Sequence, residues 1–130
     1  MKKNLTIGNT GTAKTVVNEK NTAKTVGSGS LDVFATPMMI ALMEQAACDC
    51  LDGSLESGQS SVGTEINVAH TAASPLGADI TATAVIDEVD GRKVLFTVIA
   101  CDDKKEIGRG THTRFLIDAE KFMSKYAPNI

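Results

Sequence analysis

The chain has 130 residues, 42% of them hydrophobic and 22% charged, with a formal net charge of −3, the proportions of a globular domain large enough for its own core. Its basic residues are scattered, and four Phe and one Tyr are too few for a base-stacking platform, so a nucleic-acid partner is not expected. Cys48, Cys50 and Cys101 are an odd number without CxxC spacing, which suggests neither a disulfide framework nor a zinc site and leaves a reduced, cytoplasmic, metal-free protein as the expectation.

The opening MKKNLTIGNTG carries two lysines but no apolar stretch behind them, so no secretory leader is expected. A short echo follows, TAKTV at Thr12–Val16 and again at Thr22–Val26. The first copy reads as part of a strand and the second as an extended loop or a partner strand. One echo is too little for a repeat architecture.

Thr36-Pro37 then announces a helix, with Thr as N-cap and Pro at the first helical position. The apolar pattern persists to about Leu51 and stops at Asp52-Gly53. A helix of roughly 16 residues is about 24 Å long. Apolar nearly all round, it is expected to be enclosed. The run from Val33 to Met43 is too short to span a bilayer, so no membrane partner is expected. Gly53–Ser60 reads as a loop.

Beyond that loop the period becomes two, Val62, Thr64, Ile66, Val68 and His70 alternating with Gly63, Glu65, Asn67 and Ala69. After a turn at Ala73–Gly77 come three strands, Ala78–Val89, Lys93–Cys101 and Glu106–Ile117, separated by the hairpin signals Asp90-Gly91 and Asp102–Lys105. Asp118–Tyr126 reads as a short closing helix or tail. One strand, one long helix and four further strands predict an α+β fold, an antiparallel sheet wrapped around an enclosed helix, as a single domain over residues 1–130.

Within this frame Glu44 is the only charged residue between Val33 and Cys48. Its helical neighbours Ile40, Ala41, Ala47 and Cys48 offer no i,i+4 partner. Either it reaches solvent or the fold holds a carboxylate in a dry pocket, where burial would raise its pKa toward that of a useful general base. Thr36, besides capping, places a hydroxyl beside the unpaired N–H groups of a helix start, which could stabilise an oxyanion. His70 closes a strand and is a suitable partner for a buried glutamate. His112 is its rival, sharing a face with Gly108, Gly110 and Arg114 that could line a groove or admit the helix. Gly63 lies inside a strand, where a glycine marks a close approach. Arg114 could grip a phosphate, pair with Glu44 or sit at the surface. Thr36 and Glu44 are eight residues apart, about 12 Å along a helix axis. If both serve one site, either a second copy of the chain supplies one of them or the substrate spans the gap, and the first is favoured.

Three segments, VFATPMMIALMEQAAC, SVGTEINVAHTAASPLG and KKEIGRGTHTRF, resemble the hotdog-fold acyl-CoA thioesterases, in particular the fluoroacetyl-CoA thioesterase-like group. The resemblance covers most of the chain after about residue 30. It implies a hotdog homodimer with two acyl-CoA sites across the interface and hydrolysis of a short-chain acyl-CoA, with no cofactor beyond the coenzyme A of the substrate. It carries the family's catalytic set onto Thr36, Glu44 and His70, and its substrate-binding glycine and arginine onto Gly63 and Arg114. Glu44 would be nucleophile or general base, His70 the acid/base, Thr36 the orienting group, with backbone amides near Gly63 or the helix start holding the oxyanion. The fluoroacetyl-specific member of the group is expected to shape a lid with aromatics before the helix. Here that segment is VGSGSL, Val26–Leu31, which implies a different short acyl group. Two other readings are a hotdog enoyl-CoA hydratase or dehydratase, and a non-catalytic acyl-CoA-binding module.

Overall fold

A computed structural model describes residues 4–127 of the chain; Lys2 and Lys3 of the opening segment lie outside them. Five strands, β1 (Thr10–Val16), β2 (Gln59–His70), β3 (Asp79–Asp90), β4 (Lys93–Cys101) and β5 (Glu106–Asp118), form one antiparallel sheet in the order β1-β3-β4-β5-β2. Three helices accompany it: α1 (Ala23–Val26), α2 (Thr36–Asp52) and α3 (Ala119–Tyr126). The consecutive pairs β3–β4 and β4–β5 are joined by the two expected hairpins, and β2 and β1 return to opposite edges. The expected α+β arrangement, one sheet on one long helix, is what forms. Among the described residues no helix is long and apolar enough to cross a membrane.

Helix α2 is seated by a stripe at Met39, Leu42, Met43, Ala46, Ala47, Cys50 and Leu51, all buried. These positions recur at the spacing that lines one helical face. The stripe packs chiefly on β1 and β3. There it meets Ile80, Ala82, Ala84 and Ile86, with Phe96 and Val98 of β4 beneath. Each large apolar side chain so buried contributes on the order of 1.5–3 kcal/mol. Gly11 of β1 lets the helix come this close, since a Cβ there would overlap the Ala46 carbonyl and the Cys50 amide. Full enclosure was expected, but only one face is covered. Thr36, Pro37, Gln45, Cys48 and Asp49 are exposed and Ile40, Ala41 and Glu44 half-buried.

Three local expectations are corrected. The second TAKTV copy is no strand: Thr22 caps the single turn α1 by accepting from the Thr25 amide, and Gly27 closes it at φ 89°. Thr36 is not the N-cap of α2. Ala35 occupies that place without a side-chain bond, and Pro37 stands in the first turn. The strict alternation in β2 fails at a bulge between Gly63 and Glu65, where Thr64 is the extra residue and re-aims what precedes it.

Candidate active site

The expected residues fall into two clusters on the open side of α2. In the first, Thr36 at the start of α2 faces His70 at the end of β2, with Thr36 Oγ1 2.8 Å from His70 Nδ1. The hydroxyl is free for this contact because Ala35 caps the helix. His70 Nε2 is buried and no group among the described residues meets hydrogen-bond geometry with it. Burial holds the imidazole pKa below its ordinary value, with the Ala72 backbone acting in the opposite direction. The pair opens on a cleft of about 260 Å³ lined by Ser28, Val33, Phe34 and Ala72 among others. Of the amides at the helix start, Met38 and Met39 N–H both donate to the Ala35 carbonyl at 3.0 Å, and Pro37 has none.

The second cluster surrounds Glu44, two turns further along α2. Within one chain its partner is not His70 but the other group the sequence offered, Arg114 of β5, whose Nη1 lies 3.7 Å from Glu44 Oε2. Nor is the dry pocket complete, since the Glu44 side chain is 41% exposed while that of Arg114 is 8% exposed. Of the alternatives for Arg114, the surface reading is therefore excluded and the pairing with Glu44 is what forms. Its guanidinium is aimed from behind: Nε donates to Ser61 Oγ at 2.9 Å and Nη2 to the Ser61 carbonyl at 3.1 Å. Nη1 donates to His112 Nε2 at 3.3 Å. Three of the five guanidinium N–H groups are thus committed.

His112 is 2% exposed and packs its ring against Phe96, centroids 6.1 Å apart. Its Nδ1 lies 2.8 Å from the Glu65 carbonyl. A carbonyl only accepts and a guanidinium only donates, so the partners assign a neutral ring with the proton on Nδ1 and the lone pair on Nε2. Its pKa is lowered first by burial and further by the Arg114 charge, against the Glu65 carbonyl and Glu44, which raise it.

Gly63 is the floor of this cluster. A Cβ there would stand 2.8 Å from Glu44 Oε2, 3.1 Å from His112 Cε1 and 3.2 Å from Arg114 Nη1, so the close approach read from the sequence is made by these side chains. On the face shared with His112, Gly108 admits Met39 of the helix, as one of the two readings of that face had it. Ser61 and Phe96, which hold Arg114 and His112, carried no signal of their own. Serine and phenylalanine in strands are ordinary, and only the register places them here.

Among the described residues no hydrogen bond or ion pair joins the two clusters. The first has a hydroxyl, an imidazole and a cleft but no carboxylate. The second has a carboxylate and a fixed cation, but its imidazole is occupied on both nitrogens.

Residues 17–120 match the family described as fluoroacetyl-CoA-specific thioesterase. A fluoroacetyl-CoA thioesterase of Streptantibioticus cattleyicolor is 47% identical over 94 residues, 72% of this chain and 68% of its own. The crystal structure of a variant of the fluoroacetyl-CoA-specific thioesterase FlK superposes with a TM-score of 0.91 at 37% identity, covering 99% of this chain and 100% of that one. A second FlK variant, in complex with acetyl-CoA, gives 0.86 at 38% identity over 93% of this chain and 96% of that one. The architecture is thus that of the hotdog thioesterases.

Proposed function

The chain belongs to the fluoroacetyl-CoA-specific thioesterase family and is an acyl-CoA thioester hydrolase, and from this premise we propose that it cleaves a short-chain acyl-CoA at a site completed by two copies of the chain. The observation that carries the reading is the division of the site into two clusters, each holding the chemistry the other lacks. Two features favour β2 as the seam. The outer edge of β1 is engaged by its own helix, Thr12 N–H donating to Asp49 Oδ2 at 2.9 Å. Among the described residues the twelve-residue edge of β2 has no neighbouring strand beyond it, and a long bare edge invites pairing. A second copy there would also cover the open face of α2. We place the chain in a reducing, cytoplasmic setting, a reading supported by its odd number of cysteines without CxxC spacing.

In this site the acyl group enters the cleft beside Thr36 and His70 of one copy and meets Glu44 of the other. Arg114 and Gly63 flank the carbonyl, the remaining Arg114 N–H groups and the Gly63 backbone steadying the oxyanion. Glu44 either takes a proton from water, whose oxygen then bonds to the carbonyl carbon, or bonds to that carbon itself and is released by water from a mixed anhydride. In both routes the C–S bond breaks and His70, oriented by Thr36, gives a proton to the departing sulfur and recovers one from the attacking water, through Glu44 in the first route and directly in the second. Label in the Glu44 carboxylate after a single turnover in ¹⁸O-water identifies the anhydride route, because a general base exchanges no oxygen with its substrate.

Glu44→Gln is expected to lower kcat by at least about 100-fold with the fold intact, the usual scale for losing an acid–base or nucleophilic group. A screen of thiol release over acyl-CoA chain lengths reads both the variant and the acyl preference. Full activity of the variant on every substrate hydrolysed would falsify the role of Glu44. The absence of an aromatic in Val26–Leu31 supports a preference for an unfluorinated short acyl group. A strong selectivity for fluoroacetyl-CoA over acetyl-CoA in that screen would overturn it.

A further inference from the structure

Arg114 reaches Glu44 only because something holds it there. It extends from β5 into a place where it is 7% exposed, and its Nη1 is the nitrogen turned to both Glu44 Oε2 and His112 Nε2. A lone arginine beside a half-exposed carboxylate has many rotamers open to it. Two anchors remove that freedom. Ser61 takes the inner side of the fork through Nε and Nη2, and His112 takes Nη1.

The anchor at His112 works only in one protonation state and one tautomer. Nδ1 must carry the proton to satisfy the Glu65 carbonyl, and that leaves at Nε2 the lone pair Nη1 requires. The ring is confined, buried at 2% exposure with Phe96 packed against it and Gly63 close to its Cε1 edge. The Glu65 carbonyl lies just past the bulge at Gly63/Glu65. That irregularity in β2 therefore both makes room for the glutamate at Gly63 and sets the tautomer of the imidazole behind it.

We infer that His112 is a positioning residue of the thioesterase reaction. As a fixed neutral acceptor it holds Arg114 Nη1 at the Glu44 carboxylate, through the chain Glu65 carbonyl, His112, Arg114, Glu44. The inference rests on the proposed role of Glu44. It assigns His112 no contact with substrate and no proton to transfer, so the ring acts entirely through the geometry of its neighbour. Misplacement of a reacting group by about 1 Å costs on the order of 100-fold in rate, so an anchor of this kind is visible in kcat.

Three variants and one cycle test it, each checked for folding by thermal denaturation. His112→Phe keeps the ring packing but removes the acceptor; kcat is expected to fall about tenfold or more with KM changed less than about threefold, since the anchored pair acts on the reacting carbonyl. His112→Gln restores an acceptor at the reach of Nε2 and is expected to recover most of the loss. In the Arg114→Gln background, His112→Phe is expected to add nothing further, the mark of two residues acting as one unit. If the phenyl variant does not fold, His112→Asn, too short to meet Arg114, replaces it with the same expectations. A kcat unchanged by loss of the acceptor overturns the inference, as does an additive double variant, which would mean His112 acts independently of Arg114. Activity surviving Glu44→Gln would instead remove the proposed mechanism itself. An inactive Glu44→Gln beside an unaffected His112→Phe removes only the positioning role.

Discussion

A methyl group at position 63 would press on Glu44, His112 and Arg114 together. The nearest atom, Glu44 Oε2, ends a flexible and half-exposed side chain and can give way, but the His112 ring at 3.1 Å and Arg114 Nη1 at 3.2 Å are held by their own partners, so Gly63→Ala is expected to cost about 1–3 kcal/mol in stability. Displacing the carboxylate should also lower kcat by about tenfold or more. Parallel urea melts and thiol-release kinetics read the two quantities, and a large loss of stability with kcat preserved would contradict this account. The two histidines make a second prediction at this scale. Burial holds both pKa values below the ordinary 6.5, so as pH falls the unfolded chain takes up protons before the folded one. The stability they contribute is therefore complete above 6.5 and declines as pH falls through the lowered values. The melting temperature should drop between pH 7.5 and 5.5, less steeply in His112→Gln than in the wild type. Around His112 burial sets this balance first, against the Glu65 carbonyl, which raises the pKa; of the facing charges Arg114 lowers it and Glu44 raises it.

Elements meet the cleft through a staple that no motif announced. Asp102, in the β4–β5 hairpin, has a side chain only 2% exposed. Its Oδ1 accepts from the Lys104 and Lys105 amides, and its Oδ2 from Lys105 Nζ at 2.7 Å and from the fully buried Ser74 Oγ at 2.9 Å. The Lys105 ammonium first, then the Lys104 amide and the Ser74 hydroxyl, hold this carboxyl far below the usual carboxylate range against its burial. The staple ties the hairpin to the segment that carries Ala72 and Ala73 into the cleft wall. Asp102→Ala would leave the Ser74 hydroxyl buried without its acceptor, which costs about 1–3 kcal/mol. Urea denaturation at neutral pH measures it, and an unchanged midpoint would mean the hairpin is held by its strand pairing alone. Acidification removes the same contribution progressively, from the ordinary carboxylate pKa of the unfolded chain down through the lowered pKa of the folded one.

The assembly offers the most decisive test. If Glu44 of one copy serves Thr36 and His70 of the other, then Glu44→Gln and His70→Ala chains are each inactive alone. A heterodimer of the two carries one wholly defective site and one wholly intact site. Random exchange of equal amounts should restore about a quarter of wild-type activity, as expected for a two-fold dimer with paired sites. No recovery despite demonstrated subunit exchange would place all three residues in one chain's site. Sedimentation of the wild-type protein as a monomer would likewise remove the proposed seam at β2.

The sequence by itself determined the elements: periods of 3.6 and 2, turn residues and a proline in the first turn are local, and they specify helix and strands almost to their ends. It also singled out Glu44, Thr36, His70, Gly63 and Arg114, because a charge in an apolar run or a glycine inside a strand conflicts with its surroundings wherever the chain goes. Only the tertiary structure decided how those residues are partnered. Thr36 left the cap for His70 once Ala35 took that place, and Glu44 turned to Arg114 because the bulge beside Gly63 and the β2–β5 register bring strand residues some fifty positions apart under one helix face. Register and bulges are settled by packing across the sheet rather than by neighbours in the chain, and for that reason Ser61, Phe96 and the fixed tautomer of His112 could not be read from the residues around them.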